Sequence, residues 1–183
     1  MATDHPIIKG KKVYLRPVEE GDLEYFARWE TETHVTSFFT MNDGRDLNEI
    51  RSEIEGRARD PACLDLTICA LPDNRVLGRV YISAINPHYD SMDISRIYIG
   101  DLEERGKGYG EDALRCALEL GFCHMAMERI TLDYVNWNDA AHALYLKVGF
   151  RDEGRMRCAG KKNGGYVDLN LMSILREEYA PTL

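Results

Sequence analysis

The sequence lacks most of the features that would assign it to a class at sight. No apolar run approaches the ~20 residues needed to cross a bilayer. The opening MATDHPIIKGKK has no long apolar segment behind a basic head, so neither a membrane span nor a secretory leader is read from it. The cysteines (Cys63, Cys69, Cys116, Cys123, Cys158) form no CxxC pair and are odd in number. They read as reduced thiols of a cytoplasmic protein. The histidines show no HxxxH or HExxH spacing, so no metal site is expected. Cationic residues are outnumbered, 23 Lys and Arg against 31 Asp and Glu, which leaves a net charge of −8. That balance disfavours a broad nucleic-acid surface and favours cationic or small-molecule partners.

What is present is an ordinary globular content. The 183 residues are 44% hydrophobic, enough to argue against disorder and to bury about 70% of the unfolded surface in one core. We read residues 1–183 as one domain without internal repeat or linker. Residues 13–16 read as a strand, and 19–29 and 46–58 as helices, the second capped by Asp46 and stopped at Asp60-Pro61. Between them HVTSFFTMNDG shows no period and reads as a loop with two exposed aromatics, Phe38 and Phe39. Strands at 64–71 and 76–84 form an antiparallel hairpin, and a third strand follows at 92–99. A helix with Ala113, Leu114, Ala117, Leu118 and Phe122 on one stripe comes next. The rest alternates: strand 129–135, helix 138–147, strands 150–156 and 166–175. The expected fold is α/β with a mixed sheet.

The most informative segment is Arg105-Gly106-Lys107-Gly108-Tyr109-Gly110, placed between a strand and an amphipathic helix. Glycines admit positive φ and a close ligand approach. The helix start adds unpaired N–H groups and a favourable dipole, and Arg105 and Lys107 add charge. The combination suits a pyrophosphate. No Ser or Thr follows Lys107 to hold magnesium, so a nucleoside triphosphatase is disfavoured. Asp133 lies about 23 residues beyond Gly110, near the offset of a ribose-binding acid in a dinucleotide fold. The hairpin upstream breaks the strand–helix–strand alternation that fold requires.

These residues resemble the GNAT superfamily of acyl-CoA-dependent N-acetyltransferases. RGKGYG is similar to its (Arg/Gln)-x-x-Gly-x-(Gly/Ala) loop, and NDAAHALYLKVGF, running from Asn138 to Phe150, is similar to its N-x-x-A-x-x-L-Y-x-K-x-G-F helix. The two occur in the right order, separated by a helix and a strand, and the chain's ending resembles the ribosomal-protein and polyamine acetyltransferase branches. One departure stands before Arg105. Gly100-Asp101-Leu102-Glu103-Glu104 lacks the usual proline and runs one residue longer.

The resemblance implies a GNAT-like fold: a mixed, largely antiparallel sheet with a splayed strand pair and flanking helices. It implies acetyl-CoA as co-substrate, its pyrophosphate held by backbone N–H groups of Arg105, Gly106, Lys107, Gly108, Tyr109 and Gly110. The pantetheine arm would pair with the free edge at Ile97, Tyr98 and Ile99, as a peptide pairs with an open sheet edge. Asn138 either caps its helix or hydrogen-bonds the pantetheine. Tyr145 is the candidate acid for the leaving thiolate, since a phenol of pKa ~10 is protonated at neutral pH; the alternative is a core aromatic. For the base we assign Asp93 and leave Ser95, Glu30 and Glu32, which could also reach the cleft, unassigned; Arg96 is the residue that would pair with Asp93 instead. Acceptor choice should come from residues 34–45, 86–90 and 157–166, with Phe38, Phe39 and Tyr89 as walls and Glu30, Glu32, Asp43 and Asp90 as charge.

The acceptor is an amine: a polyamine, a protein N-terminus, an amino sugar or another small amine. Neither nucleic acid nor membrane is expected, and a homodimer stays open. Two other classes compete with the enzyme: a non-catalytic acyl-CoA-binding or sensing domain, and an interaction module with a purely structural glycine loop. Tyr145 separates the first, because a domain that does no chemistry has no need of an acid there. A melting shift with acetyl-CoA separates the second, at ~2.7 kcal/mol for ligand at 100 times its Kd.

Overall fold

The computed structural model describes residues 7–40 and 44–180. Strand β1 (Ile8–Lys9) pairs with β2 (Val13–Pro17), and helices α1 (Leu23–Trp29), α2 (Thr33–Thr36) and α3 (Leu47–Arg57) follow. Strands β3 (Leu64–Ala70), β4 (Val76–Asn86) and β5 (Ser91–Ile99) form a meander. Then come α4 (Tyr109–Glu119), β6 (Arg129–Val135), α5 (Asp139–Val148), β7 (Arg151–Lys162) and β8 (Gly165–Leu175). Together the strands make one sheet in the order β1-β2-β3-β4-β5-β6-β8-β7. Every neighbouring pair is antiparallel except β5–β6, so the expected mixed, largely antiparallel sheet is found.

Three differences from the sequence reading have local causes. β1 is two residues long, too short to show alternation. α2 is a single turn inside the segment read as loop. β7 runs on to Lys162, past the expected end at residue 156, with nearly every residue exposed. Such a strand carries no hydrophobic pattern; it is held by pairing with β8.

The two faces of the sheet are covered differently. On one, Leu66, Ile68, Val80, Ile82 and Ile94 pack with Ala113, Leu114 and Ala117 of α4 in the main core. Asp112 anchors that helix, accepting from the backbone N–H groups of Lys12 and Val13 at 2.7 and 2.9 Å. On the other face, α1 and α3 pack Phe26, Trp29 and Ile50 around Tyr98. α3 begins in a capping box: Asp46 accepts from Glu49 N–H, and Glu49 accepts from Asp46 N–H, both at 2.9 Å.

Two irregularities place the functional cleft. In the β4–β5 ladder Tyr81 opposes Arg96 and Ile82 opposes Ile94, which leaves Ser95 as the extra residue of a bulge. The side-chain alternation of β5 changes phase there. Ile94 and Ile97 therefore join the α4 face, while Asp93, Arg96 and Tyr98 share the other. Pairing of β5 with β6 stops after Asp93–Thr131. Beyond that point the strands part.

Candidate active site

A cleft of about 560 Å³ opens between the parted strands. Ile97, Tyr98 and Ile99 line one wall and Asp133, Tyr134 and Val135 the other. The glycine loop closes one end, and α5 contributes Asn138, Ala141, Leu144 and Tyr145.

The loop has the conformation its glycines suggested. Gly106 and Gly108 have φ of +74° and +86°, a region that β-branched residues avoid. Gly108 is also the N-cap of α4 and has no side chain to cap it, so the first-turn N–H groups stay open to a ligand oxygen. Lys12, which the sequence reading did not single out, braces the loop: its Nζ donates to the Lys107 carbonyl at 2.6 Å. The flanking cations are engaged within the protein. Arg105 donates Nε and Nη2 to the Ile99 carbonyl at 3.3 and 3.2 Å, and Lys107 pairs with Glu104 at 3.0 Å. What faces an anion here is mainly backbone. Left-handed glycines, an uncapped helix start and a parted strand edge suit a long ligand with a pyrophosphate and a peptide-like arm.

Tyr145 sits at the gap. It is 8% exposed, its ring packs edge-on to Tyr134 at 5.8 Å and against Phe150 at 6.0 Å, and it still lines the cleft. Burial, then the negative charge of Asp133, raise its pKa above the usual phenol value, so it is protonated throughout the working range. Asn138 caps α5, its Oδ1 accepting from Ala141 N–H at 3.2 Å, and also borders the cleft.

Asp93 stands where the strands diverge, accepting from Thr131 Oγ1 and Ser95 Oγ at 2.7 Å each. Burial raises its pKa despite those bonds. Ser95 lines the cleft beside it. Arg96 does not pair with Asp93. The bulge at Ser95 sets both on one face, but Arg96 turns to Glu30 and Glu53 at 3.4 and 3.5 Å, while Asp93 is held by Thr131 and Ser95. Nor does Glu30 reach the cleft. It is fully buried beneath it, where Arg79 Nη1 and Tyr98 Oη donate to it at 3.0 Å and Arg45 pairs with it. Tyr98 and Arg96, walls of the cleft, are thus roots of a buried ionic cluster completed by Asp65, Glu53 and Arg57.

The acceptor segments are only partly as expected. Phe38 and Phe39 are half-buried and line the cleft; Phe39 packs edge-on to Tyr98 at 5.8 Å. Tyr89 is 71% exposed on a turn below the point of divergence, and neither it nor Asp90 borders the cleft. Glu32 is an exposed residue 3.9 Å from His34. Asp43 lies outside the described residues. The 157–166 segment acts indirectly: Lys162 Nζ donates to the carbonyls of Thr36 and Phe39 at 2.7 and 2.9 Å, fixing the loop that carries Phe38.

Asp133 was considered in the sequence only as a ribose ligand and was missed as a cleft carboxylate. Its signal was an acid in the middle of a strand whose neighbours Leu132 and Tyr134 are apolar and buried.

Comparison with known proteins agrees with this geometry. The family model of the acetyltransferase (GNAT) domain matches residues 12–151. A spermidine N(1)-acetyltransferase of Vibrio cholerae is 26% identical over 165 residues, 90% of this chain and 94% of that protein. The spermidine N(1)-acetyltransferase of Escherichia coli K12 is 25% identical over 167 residues, 91% of this chain and 88% of that protein. The crystal structure of a Vibrio cholerae spermidine N-acetyltransferase in complex with CoA and spermine superposes with a TM-score of 0.83 at 25% identity, covering 91% of this chain and 97% of that one. The chain belongs to the GNAT acetyltransferase family, whose members are acetyl-CoA-dependent N-acetyltransferases.

Proposed function

We propose, from membership of that family, that residues 1–183 form one domain transferring the acetyl group of acetyl-CoA directly to a primary amine of a small polyamine-type acceptor. The observation that carries the reading is the gap between β5 and β6, with a backbone-lined anion site at one end and Tyr145 at its edge. The open N–H groups of the 105–110 loop hold the pyrophosphate. The edge at Ile97 and Tyr98 pairs with the pantetheine arm; the Ile99 carbonyl is already taken by Arg105. Tyr145 serves the departing sulfur, donating its proton as the carbon–sulfur bond breaks. A net charge of −8 favours a cationic acceptor. The free cysteines are in keeping with a cytoplasmic enzyme.

The test is release of free thiol from acetyl-CoA across a panel of amines: di- and triamines, α-amino peptides and amino sugars. Turnover is expected to be fastest with the alkyl polyamines. Tyr145→Phe keeps the ring and removes the donor, so kcat should fall by roughly 10–10³-fold while acetyl-CoA affinity and Tm hold. Binding of acetyl-CoA without thiol release from any amine would make the chain an acyl-CoA-binding domain instead.

A further inference from the structure

We propose that Asp133 is the proton acceptor for the attacking amine, meeting the incoming ammonium at the gap between β5 and β6 and taking one proton from it before the carbon–nitrogen bond forms. This rests on the acetyl-transfer reading above and deepens it.

Position comes first. Along β6, Ile130 and Leu132 point into the main core, so Thr131 and Asp133 occupy the opposite face. Thr131 is the last residue of β6 paired with β5. Asp133 is therefore the first residue on its face beyond the divergence, and its side chain is exposed to the cleft. Tyr145 packs from the other side, against Tyr134 and Phe150. A thioester held in the gap would have the carboxylate on one side and the phenol on the other.

Availability comes second. The other carboxylates around the cleft are already occupied. Glu104 holds Arg75 and Lys107, Glu111 holds Arg115 and Lys147, Asp93 accepts from Thr131 and Ser95, and Glu30 holds arginines. Among the described residues Asp133 accepts no hydrogen bond and pairs with no cation. It is the cleft carboxylate with capacity for an incoming ammonium.

Electrostatics supports the assignment. The surrounding walls, and then the charge of Asp93, raise the Asp133 carboxyl to about 6, although water reaches it through the open cleft. A base near the working pH can both take a proton and release it. The groups electrostatically coupled to it are Asp93 from β5 and Tyr145 from α5. Arg96 of β5 is engaged with Glu30 and Glu53, His34 with the Gly100 carbonyl, and its β8 partner is Leu171. Once Asp133 is protonated, the negative charge that helps Tyr145 retain its proton is gone. Accepting the amine proton thereby makes Tyr145 a better donor.

The protons balance. Asp133 takes one proton from the ammonium, and the neutral nitrogen forms the bond to the carbonyl carbon. The carbon–sulfur bond breaks with its electron pair on sulfur, and Tyr145 gives its proton there. The second nitrogen proton returns through water to the Tyr145 oxygen, and Asp133 releases its own to solvent. One proton leaves per amide formed.

The test is kcat/KM for an alkylamine between pH 5 and 9 on the full chain, with acetyl-CoA affinity measured by calorimetry. The unmodified protein should lose activity as pH falls through about 6. Asp133→Asn should be about 10²-fold or more slower at pH 7 and lack that limb, with acetyl-CoA affinity within twofold. Asp133→Glu should restore most of the rate, and Asp93→Asn should move the limb to lower pH. An Asp133→Asn profile that keeps the limb and the rate overturns the proposal, as does a loss explained by weaker acetyl-CoA binding. If Asp133→Asn fails to fold, an unmoved limb in Asp93→Asn overturns it. Absence of thiol release from any amine in the unmodified chain overturns the acetyl-transfer reading itself.

Discussion

At its glycine-loop end the cleft is made of backbone, and at the end covered by α1 and α3 it is made of side chains that hold one another. The loop presents N–H groups freed by left-handed Gly106 and Gly108, while its own cations, Arg105 and Lys107, turn to Ile99 and Glu104. The opposite end presents Arg96 and Tyr98, both fixed from behind by Glu30. A backbone site tolerates many side chains but few replacements of its glycines. A side-chain cluster behaves the other way: removing one member strands its partners in low dielectric. On the function proposed above, the backbone-made end takes the coenzyme and the side-chain-made end faces the acceptor.

The largest effect is expected from Arg79→Ala. Arg79 is fully buried and bridges Glu30 at 3.0 Å, Asp65 at 2.6 Å and Glu53 at 3.1 Å. Its loss leaves three carboxylates short of a cation, which typically costs about 3–5 kcal/mol. Urea unfolding should show that loss. A change below about 1 kcal/mol, the scale of an exposed pair, would mean that the cluster rearranges and is no fixed wall.

Acid should separate the two ends next. Burial pushes Glu53 up, but Arg96, Arg79, Arg57 and Arg45 more than offset it, and its pKa lies below the usual value. Asp22 behaves alike, with burial opposed by Arg16 and Thr67. A carboxyl whose folded pKa is depressed stabilises fully above its unfolded value, and that stability is lost as pH falls through the folded one. The window opens at the ordinary carboxylate range of about 4 and extends downward. Hydrogen exchange at pH 3 should show α1 and α3 losing protection before α4. Glu111 and Asp112 also bind through carboxylates in the first turn of α4, but Ala113, Leu114 and Ala117 hold the rest on Leu66, Val80 and Ile82 by apolar packing. Equal loss in all three helices would contradict the assignment of stability to the cluster.

These differences also explain what could be read from the sequence. The apolar face was legible because Leu64, Leu66 and Ile68 alternate along β3, and Ala113, Leu114 and Ala117 recur along α4. The glycine loop was legible because few residues other than glycine adopt positive φ. The ionic face was not, because a buried Arg79 or Glu30 reads as surface charge until its partners, distant in sequence, are brought to it. The bulge at Ser95 was invisible for a related reason. It changes the phase of β5 without changing its composition, and so it turns Arg96 to the face where Glu30 is buried. Asp133 was missed because an unpartnered acid is recognised only once its neighbours are known to be partnered.

Gly108→Val should weaken acetyl-CoA binding about tenfold or more. A β-branched residue at φ +86° is strained, and its Cβ would come within 3.0 Å of Lys12 Nζ. Calorimetry on the folded variant reads the change. Unchanged affinity would remove the anion site from this loop.

The smallest effect is expected at Arg105. If this end is backbone-made, the guanidinium works by bracing the loop against the Ile99 carbonyl and not by contacting phosphate. Arg105→Ala should then cost about 1 kcal/mol, the usual worth of a hydrogen bond, which is less than the ~1.4 kcal/mol of a tenfold loss at Gly108→Val. Because a brace acts over contact distance within the protein, the ratio of wild-type to variant affinity should change little between low and high salt; a phosphate contact at the surface would be screened. Arg105→Lys separates the two readings further, since it keeps the charge but loses the planar fork that places two N–H groups on one oxygen. It should resemble Arg105→Ala. A lysine variant that binds acetyl-CoA like the wild type, with an alanine defect that shrinks as salt is added, would show that charge holds the anion. The glycine-loop end would then depend on a side chain as the Glu30 end does.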